Sequence, residues 1–194
     1  MKKVLVVGAA GAVGIHTVKY LLSEGKYEIT ILDLKNKKSF NRLKRFRKRV
    51  NILYGDVTDR ILIEALVKDH DYIIDLASAM PPLGDMKDGL SMAIDYGGCE
   101  NIVRAINYYN PKCHLFFAST TSMYKNMKNP NVKSRIVLDE FDYFSKAKLE
   151  SEKLLITKDN RRSYEYRKGQ FRQSVICLPR NNINRYFADD KEDI

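Results

Sequence analysis

Three glycines and one aspartate near the start of the chain have the types and spacing needed to hold a diphosphate. Gly8, Gly11 and Gly14 recur at three-residue intervals. Glycines let backbone N–H groups approach an anion closely, because no Cβ stands in the way. Asp33 follows Gly14 by 19 residues, where its carboxylate can accept hydrogen bonds from ribose hydroxyls. Together these residues predict a dinucleotide cradle, although the glycines alone would also fit a tight strand-to-helix turn.

The segments around these residues have the patterns of a strand, a helix and a second strand. Residues 3–7 are an apolar run, residues 13–22 have helical periodicity, and residues 28–32 form a second apolar run that ends on Asp33. This order places a helix N-terminus behind the glycines, where its N–H groups and dipole attract negative charge. The predicted cofactor contacts in this part of the chain are Gly8, Gly11, Ala12, Val13, Gly14, Asp33 and Leu34.

Four further apolar runs alternate with helical patterns along the chain. They cover residues 50–54, 72–76, 114–118 and 174–178. Continuous apolar character is typical of parallel strands that are covered on both faces. The alternation predicts an α/β fold, a Rossmann-type doubly wound parallel sheet in three αβα layers. We expect one domain over residues 1–194, with residues 185–194 as a frayed tail.

Two of the intervening helices have recognisable ends. Thr58 or Asp59 can cap a helix that ends near Val67. A longer helix is predicted over residues 88–108, and Asn110 ends it. The predicted apolar face of the first of these helices consists of Ile61, Leu62, Ala65 and Leu66.

Composition favours a cytoplasmic protein. The three cysteines are scattered and odd in number, which fits a reducing compartment better than a disulfide framework. No apolar stretch reaches the roughly 20 residues of a membrane span, so we expect no membrane partner. The histidines and cysteines lack the spacing of metal ligands, and we expect no metal site.

The formal charge of +10 is concentrated in two places. Residues 35–49, KNKKSFNRLKRFRKR, are dense in cations, and a second cluster lies between residues 161 and 172. Such runs can attract nucleic acid, acidic lipid or a phosphorylated substrate. No nucleic-acid-binding module accompanies them, so we expect a solvated helix and loop rather than a nucleic-acid partner. Lys35, Lys37 or Lys38 could meet the 2′-phosphate of NADP, but Asp33 would repel it, which favours NAD.

Two turns after later strands add cofactor contacts. GDVTD at residues 55–59 follows the third strand; Asp56 is assigned to the adenine amino group, with a plain turn as its alternative, and Asp59 to a helix cap. After the fourth strand, LASA at residues 76–79 lets backbone approach a ligand, or equally lets the strand pack closely on a helix. The contacts predicted at these turns are Asp56, Val57, Leu76, Ala77 and Ser78.

The chain resembles the extended short-chain dehydrogenases/reductases of the NAD-dependent epimerase/dehydratase family. The matching segments are GAAGAVG at 8–14, LDL around Asp33, GDVTD at 55–59, DYIIDLAS at 71–78, FASTTSMY at 117–124 and KLESE at 148–152. They follow the family's order and spacing over nearly the whole chain, which is more specific than any single motif. The resemblance implies NAD as cofactor and an oxidoreductase or isomerase acting on a nucleotide sugar or related carbinol.

The resemblance also implies three catalytic residues. Thr120 would hydrogen-bond the reacting sugar hydroxyl, and Lys148 would hold the nicotinamide ribose and favour the phenolate of a tyrosine four residues before it. That position is Phe144, which has no hydroxyl to transfer a proton. Tyr143 is adjacent, but one step along a helix turns a side chain by about 100°. Tyr143 is therefore the predicted base only if the helix begins late or unwinds locally.

Further departures from the family pattern leave two hypotheses open. Asp95 replaces the family's asparagine, Pro179 precedes Arg180 where the family has Arg-Pro, and the C-terminal substrate region is largely absent. One hypothesis is an NAD-dependent epimerase, dehydratase or reductase. The alternative is a catalytically impaired or truncated NAD-binding module with a sensing or partner role. By analogy with relatives, a homodimer would pair through the helices that flank Thr120 and Lys148.

Overall fold

The computed structural model describes residues 1–80, 89–120 and 143–156, together with the backbone of residues 172–178. Its strands are β1 (Lys2–Val7), β2 (Tyr27–Asp33), β3 (Asn51–Tyr54), β4 (Tyr72–Asp75), β5 (His114–Thr120) and β6 (Arg172–Leu178). All pairs are parallel, and the strand order is β3-β2-β1-β4-β5-β6. The predicted Rossmann-type sheet is confirmed, and each predicted strand lies within two residues of an observed one.

Helices cover both faces of this sheet. They are α1 (Ala12–Glu24), α2 (Lys37–Leu43), α3 (Arg60–Lys68), α4 (Gly98–Tyr109) and α5 (Tyr143–Ile156). On β1, Val4 and Val6 pack with residues of α1 and α2, whereas Leu5 and Val7 pack with residues of α3, α4 and α5. All four side chains are buried, as an apolar strand between two helical layers requires.

Local signals begin and end the helices near the predicted site. α1 starts directly after Gly11 and ends at Gly25, whose φ of 66° is a left-handed conformation that glycine adopts without strain. Asn36 caps α2 by accepting a hydrogen bond from the N–H of Ser39 at 2.9 Å. Asp59 caps α3, as predicted. These caps fix where each helix begins relative to the strand before it.

The predicted apolar face of α3 is partly wrong. Ile61 is 81% exposed and Ala65 is exposed, whereas Ile63 and Val67 are buried. Both pairs have the same four-residue spacing, so periodicity alone could not choose between them. Packing of Ile63 and Val67 into the core beneath α3 sets the rotation of the helix. The other two predicted members of the face, Leu62 and Leu66, are partly buried.

The long helix predicted over residues 88–108 begins at residue 90 and is not uniform; residue 88 lies outside the described residues. A π-helical segment, Met92–Gly97, leads into α4. The helix ends at Asn110, as predicted, and the Asn110 amide donates to the carbonyls of Val67 and His70 at 3.0 and 2.8 Å. A π-helical turn holds one more residue than an α-helical turn and therefore changes which side chains face the interior.

The basic run lies on α2 and on a 3₁₀ turn, Lys44–Phe46, that follows it. Ser39, Leu43 and Phe46 are buried and attach this segment to the sheet, while most of its lysines and arginines are exposed. Among the described residues, no helix combines the length and apolar character needed to cross a bilayer. Residues 161–171 of the second basic cluster, Pro179, Arg180 and the predicted tail lie outside the described residues, and only the backbone of Arg172 is described.

Candidate dinucleotide-binding site

The glycine turn packs directly against the end of β4. Gly8 has a φ of 77°, and a Cβ at this position would lie 2.6 Å from the backbone nitrogen of Ala77. A Cβ at Gly14 would lie 2.6 Å from the carbonyl oxygen of Ala9. Neither position therefore accepts a side chain. Gly11 is different, because it is exposed and its Cβ would meet only the carbonyl oxygen of Gly8, at 3.2 Å.

The N-terminus of α1 lies behind this turn. The first hydrogen bond of the helix runs from the N–H of Ile15 to the carbonyl of Gly11 at 3.1 Å. The N–H groups of Ala12, Val13 and Gly14 belong to the first turn, where no carbonyl of the same helix is available to them. The cofactor contacts predicted at these residues thus lie where a helix attracts anions.

Asp33 ends β2 with its carboxylate against the glycine turn. Oδ2 accepts a hydrogen bond from the N–H of Ala10 at 2.7 Å, and Oδ1 accepts one from the hydroxyl of Ser39 at 2.7 Å. These two bonds hold the carboxylate in one orientation. Sequence reasoning missed Ser39, because it lies among the lysines and arginines of residues 35–49 and belongs to no recognised motif. Leu34 follows at the same edge of the sheet and is 47% exposed.

The turn after β3 is held by its own carboxylate and by α4. Asp56 Oδ1 accepts a hydrogen bond from the N–H of Thr58 at 2.9 Å, which is the contact that a plain turn requires. The Asn101 amide donates to the carbonyls of Val57 and Thr58 at 3.2 and 3.1 Å. The adenine contact of Asp56 stays a prediction.

The segment after β4 forms the opposite wall of the cradle. The N–H of Leu76 donates to the carbonyl of Val7 at 2.9 Å, which keeps this segment beside β1. The Ser78 hydroxyl is buried and has no hydrogen-bond partner among the described residues. Such a group costs about 1–3 kcal/mol, and a polar ligand atom or a water molecule reaching it would remove that cost.

The strand order brings these groups to one edge of the sheet. The carboxyl ends of parallel strands lie side by side, and β1 and β4 are neighbours whose following helices cover opposite faces. A crevice forms at such a point, and ligands of open α/β sheets bind there. The exposed Gly11 at a helix N-terminus and the Ser78 hydroxyl, which has no partner among the described residues, fit a dinucleotide in this crevice.

The predicted catalytic residues lie on β5 and α5. Thr120 ends β5 and is 3% exposed, and Lys148 on α5 is equally buried. Tyr143 is the first residue of α5 and is partly exposed. Phe144, four residues before Lys148, is buried. An apolar ring therefore occupies the buried side of α5, where the family resemblance implies a phenol.

Lys148 lies in a buried charge cluster that sequence reasoning did not predict. Its ammonium is 2.9 Å from Asp95 Oδ1, and the two side chains are 3% and 0% exposed. The ammonium is also 4.6 Å from the centre of the Phe117 ring. Asp95 Oδ2 accepts a hydrogen bond from the N–H of Ala79 at 3.0 Å. The sequence marked Asp95 as a departure from the family pattern but did not show that it faces Lys148.

Asp75, the last residue of β4, is the third member of the buried charge cluster. It is 2% exposed, and its Oδ1 accepts a hydrogen bond from the N–H of Ala77 at 3.2 Å. Burial raises the pKa of the Asp75 carboxyl to about 6; the Lys148 ammonium and the Ala77 N–H lower this pKa, and Asp95 raises it. Sequence reasoning did not single out Asp75, although a carboxylate inside the apolar run YIIDLA at residues 72–77 could have revealed it.

We predict that Asp75→Asn stabilises the protein at neutral pH. A carboxyl whose pKa is raised on folding contributes stability below its unfolded pKa of 3.8, and that contribution is lost as the pH rises through about 6. At about 1.36 kcal/mol per pKa unit, ionised Asp75 costs the folded state about 3 kcal/mol. Urea unfolding should show the variant more stable than wild type at pH 8, by up to that amount, and equal to it near pH 4.

Asp71→Asn is the control, for which we expect the opposite change in stability at pH 8. Asp71 pairs with the ammonium of Lys2 at 2.6 Å and accepts the N–H of Lys3 at 2.8 Å, and these contacts lower the pKa of its carboxyl. Ionised Asp71 therefore stabilises the fold, and this contribution is lost as the pH falls through its lowered pKa. The Asp71 variant should be less stable than wild type at pH 8. A loss of stability at pH 8 in the Asp75 variant would contradict the reasoning.

Comparison with known proteins places this geometry in one family. The family model described as "NAD dependent epimerase/dehydratase family" matches residues 4–180. A UDP-glucose 4-epimerase of Lactobacillus helveticus is 24% identical over 169 residues, which are 84% of this chain and 49% of that protein. A UDP-glucose 4-epimerase of Yersinia enterocolitica is 28% identical over 130 residues, 62% of this chain and 38% of that protein. The chain thus spans about half or less of the length of these relatives.

Solved structures show the same fold. The UDP-Glc/GlcNAc 4-epimerase of Campylobacter jejuni superposes with a TM-score of 0.69 at 23% identity, covering 80% of this chain and 48% of that one. Bordetella bronchiseptica WbmH, solved in complex with NAD⁺, superposes with a TM-score of 0.70 at 20% identity, covering 92% of this chain and 56% of that one. With its glycine turn, its strand order and a family model matched along most of its length, the chain belongs to the NAD-dependent epimerase/dehydratase family.

Proposed function

We propose that this chain binds NAD(H) in the crevice between β1 and β4 and serves epimerase- or dehydratase-type oxidoreduction of a nucleotide sugar. The glycine turn at the N-terminus of α1 is the observation that carries the cofactor proposal, because the exposed Gly11 puts no side chain in front of the N–H groups of the first helical turn. The substrate class rests on relatives whose names specify UDP-sugars. The reducing cytoplasm is the compartment we propose, since Cys99 and Cys113 are buried free thiols.

NAD rather than NADP is the proposed cofactor. The Asp33 carboxylate is fixed beside the glycine turn by Ala10 and Ser39. At this strand end a carboxylate can accept hydrogen bonds from ribose hydroxyls but repels a 2′-phosphate. Lys37 and Lys38 are exposed on α2, whereas the Asp33 carboxylate is held against the glycine turn.

The proposed division of labour follows the resemblance residue by residue. Bound NAD would supply the hydride acceptor. Thr120 would orient the reacting hydroxyl, Tyr143 would accept its proton, and Lys148 would stand near the nicotinamide ribose. Pairing of two copies through α4 and α5 is proposed by analogy alone.

A second candidate function is NAD binding without turnover. Phe144 is the observation that favours it, because a buried phenyl ring takes the place where a general base is expected. Removing a positioned acid–base group lowers a rate by about 10²–10⁴-fold. Under this candidate the chain is a sensing or partner module that retains the cofactor cradle.

Replacing Gly11 by valine tests the cradle without breaking the fold. Gly11 has an ordinary φ of −65° and is exposed, so a side chain there blocks the approach of a diphosphate but meets little protein. We expect a loss of about 100-fold in NADH affinity by fluorescence titration, since each hydrogen bond to a charged group contributes about 1.5–3 kcal/mol. Ala65→Val, exposed on α3, should bind NADH as the wild type does. Unchanged binding by Gly11→Val would refute the cradle.

The cofactor preference is tested by Asp33→Asn. The amide keeps an acceptor for Ala10 or Ser39 but removes the charge. A like charge at about 4 Å costs about 1 kcal/mol in water and up to about 4 kcal/mol near a protein surface. The affinity for NADPH relative to NADH should therefore rise at least about fivefold in calorimetric titrations. Asp69→Asn, at an exposed helix end, should leave the ratio unchanged. An unchanged ratio of NADPH to NADH affinity in Asp33→Asn would show that Asp33 does not contact the ribose.

Tyr143→Phe separates the two candidate functions. If Tyr143 is the base, wild-type interconversion of UDP-glucose and its 4-epimer should fall by about 10²–10⁴-fold in the variant. Tyr108→Phe, 83% exposed on α4, should retain the wild-type rate. A wild-type chain that binds NADH but converts no UDP-sugar would instead support the module without turnover.

A further inference from the structure

The segment after β4, residues 76–79, packs directly against the glycine turn. It contacts Gly8 so closely that a single added carbon would overlap Ala77. Any movement of this segment away from β1 would therefore open the cradle at the glycine turn. Irregular backbone needs other groups to accept and donate its hydrogen bonds. The groups that hydrogen-bond residues 76–79 should therefore influence how firmly the cofactor binds.

Two buried carboxylates accept hydrogen bonds from this segment. Asp75 accepts the N–H of Ala77 at 3.2 Å, and Asp95 accepts the N–H of Ala79 at 3.0 Å. The Ser91 hydroxyl donates to the carbonyl of Ala79 at 3.3 Å. Ser91 and Asp95 both come from the helical stretch before α4. The segment is therefore held from the strand on one side and from a helix on the other.

One cation serves both carboxylates. The Lys148 ammonium is 2.9 Å from Asp95, and its charge also lowers the pKa of Asp75. Two buried carboxylates without a cation would repel each other, and burying an unpaired charge costs several kcal/mol. The Ser151 hydroxyl donates to the Asp95 backbone carbonyl at 3.1 Å, which fixes this part of the helix against α5.

We propose that Lys148, acting through Asp95 and Asp75, positions the 76–79 segment as a wall of the dinucleotide site. Lys148 is in this respect a positioning residue, and its effect does not depend on touching the cofactor. The inference rests on the NAD binding proposed above and adds to it a link between α5 and the cradle. Its consequence is that NADH affinity depends on the charge state of residues lying beneath the cradle wall.

The charged and titratable groups facing Asp75 set the direction of this dependence. They are Lys148 from α5, Asp95 from the π-helical segment and Cys99 from α4. Burial raises the pKa of the Cys99 thiol well above its usual value, so this thiol stays neutral. An ionised carboxylate accepts an N–H hydrogen bond more strongly than a protonated one. NADH affinity should therefore fall as the pH decreases through about 6, the pKa of Asp75.

The test is NADH binding between pH 5 and 8 in charge variants. Lys148→Met should lower affinity about tenfold at pH 7.5 and move the midpoint up by about one pH unit, because the lost cation had lowered the pKa of Asp75. Asp95→Asn should move the midpoint down, because the lost carboxylate had raised it. Lys148→Arg should restore the wild-type profile. Lys153→Met, whose lysine pairs with Glu150 at the surface, should change neither property.

Amide hydrogen exchange in the ligand-free chain decides the proposal independently of NADH. Exchange at Ala77 and Ala79 should be about tenfold faster in Lys148→Met than in Lys153→Met. A lysine that only contacted the cofactor would leave these rates unchanged, and that result would overturn the proposal. So would midpoints that fail to move in opposite directions in the two cluster variants. A wild-type chain that shows slow exchange at both alanines but no NADH binding would contradict the proposed function instead.

Discussion

The contact between Gly8 and Ala77 is the constraint on which the rest of the site depends. Parallel strands β1 and β4 run side by side, and the chain leaves them toward opposite faces of the sheet. A turn can pass between these exits only if no side chain fills the gap, and a Cβ at Gly8 would lie 2.6 Å from backbone. Because that carbon is absent, the glycine turn packs directly on the backbone of Ala77, with the N-terminus of α1 behind it. Asp33 and the 76–79 segment both contact the glycine turn, and the turn that carries Asp56 follows β3.

The same packing creates an electrostatic conflict that the protein resolves with Lys148. Closing β4 against β1 buries Asp75, and the helical stretch before α4 buries Asp95 nearby. Both carboxylates accept N–H groups of the cradle wall. Ionisation of Asp75 is unfavourable for folding yet strengthens its bond to Ala77. Stability and a firm cradle wall are thus opposed at this residue, as is common where a fold carries a binding site.

Residues with local signals were predictable, and residues defined by packing were not. Spacing and a strand–turn–helix pattern were enough to place Gly8 and Gly14 in a turn and Asp33 at a strand end, and Asp59 was placed at a cap because it precedes an apolar run. The cofactor contacts of the first three stay predictions. Ile61 was wrongly assigned to the buried face of α3, because residues 61 and 65 have the same spacing as residues 63 and 67. Only packing against the core determines which of the two pairs is buried. The pairing of Lys148 with Asp95 joins residues 53 positions apart through a π-helical segment. No pattern in the sequence reports that local change of helical pitch.

The π-helical segment has a consequence for how such a site could arise. Each residue added to a helix rotates everything before it by about 100° relative to everything after it. Met92–Gly97 absorbs such a rotation within one turn, and Asp95 lies inside it. Which residue points at Lys148 therefore depends on the count of residues in this turn as much as on their identity. A one-codon deletion here would rotate the carboxylate away while leaving every amino acid of the charge cluster encoded.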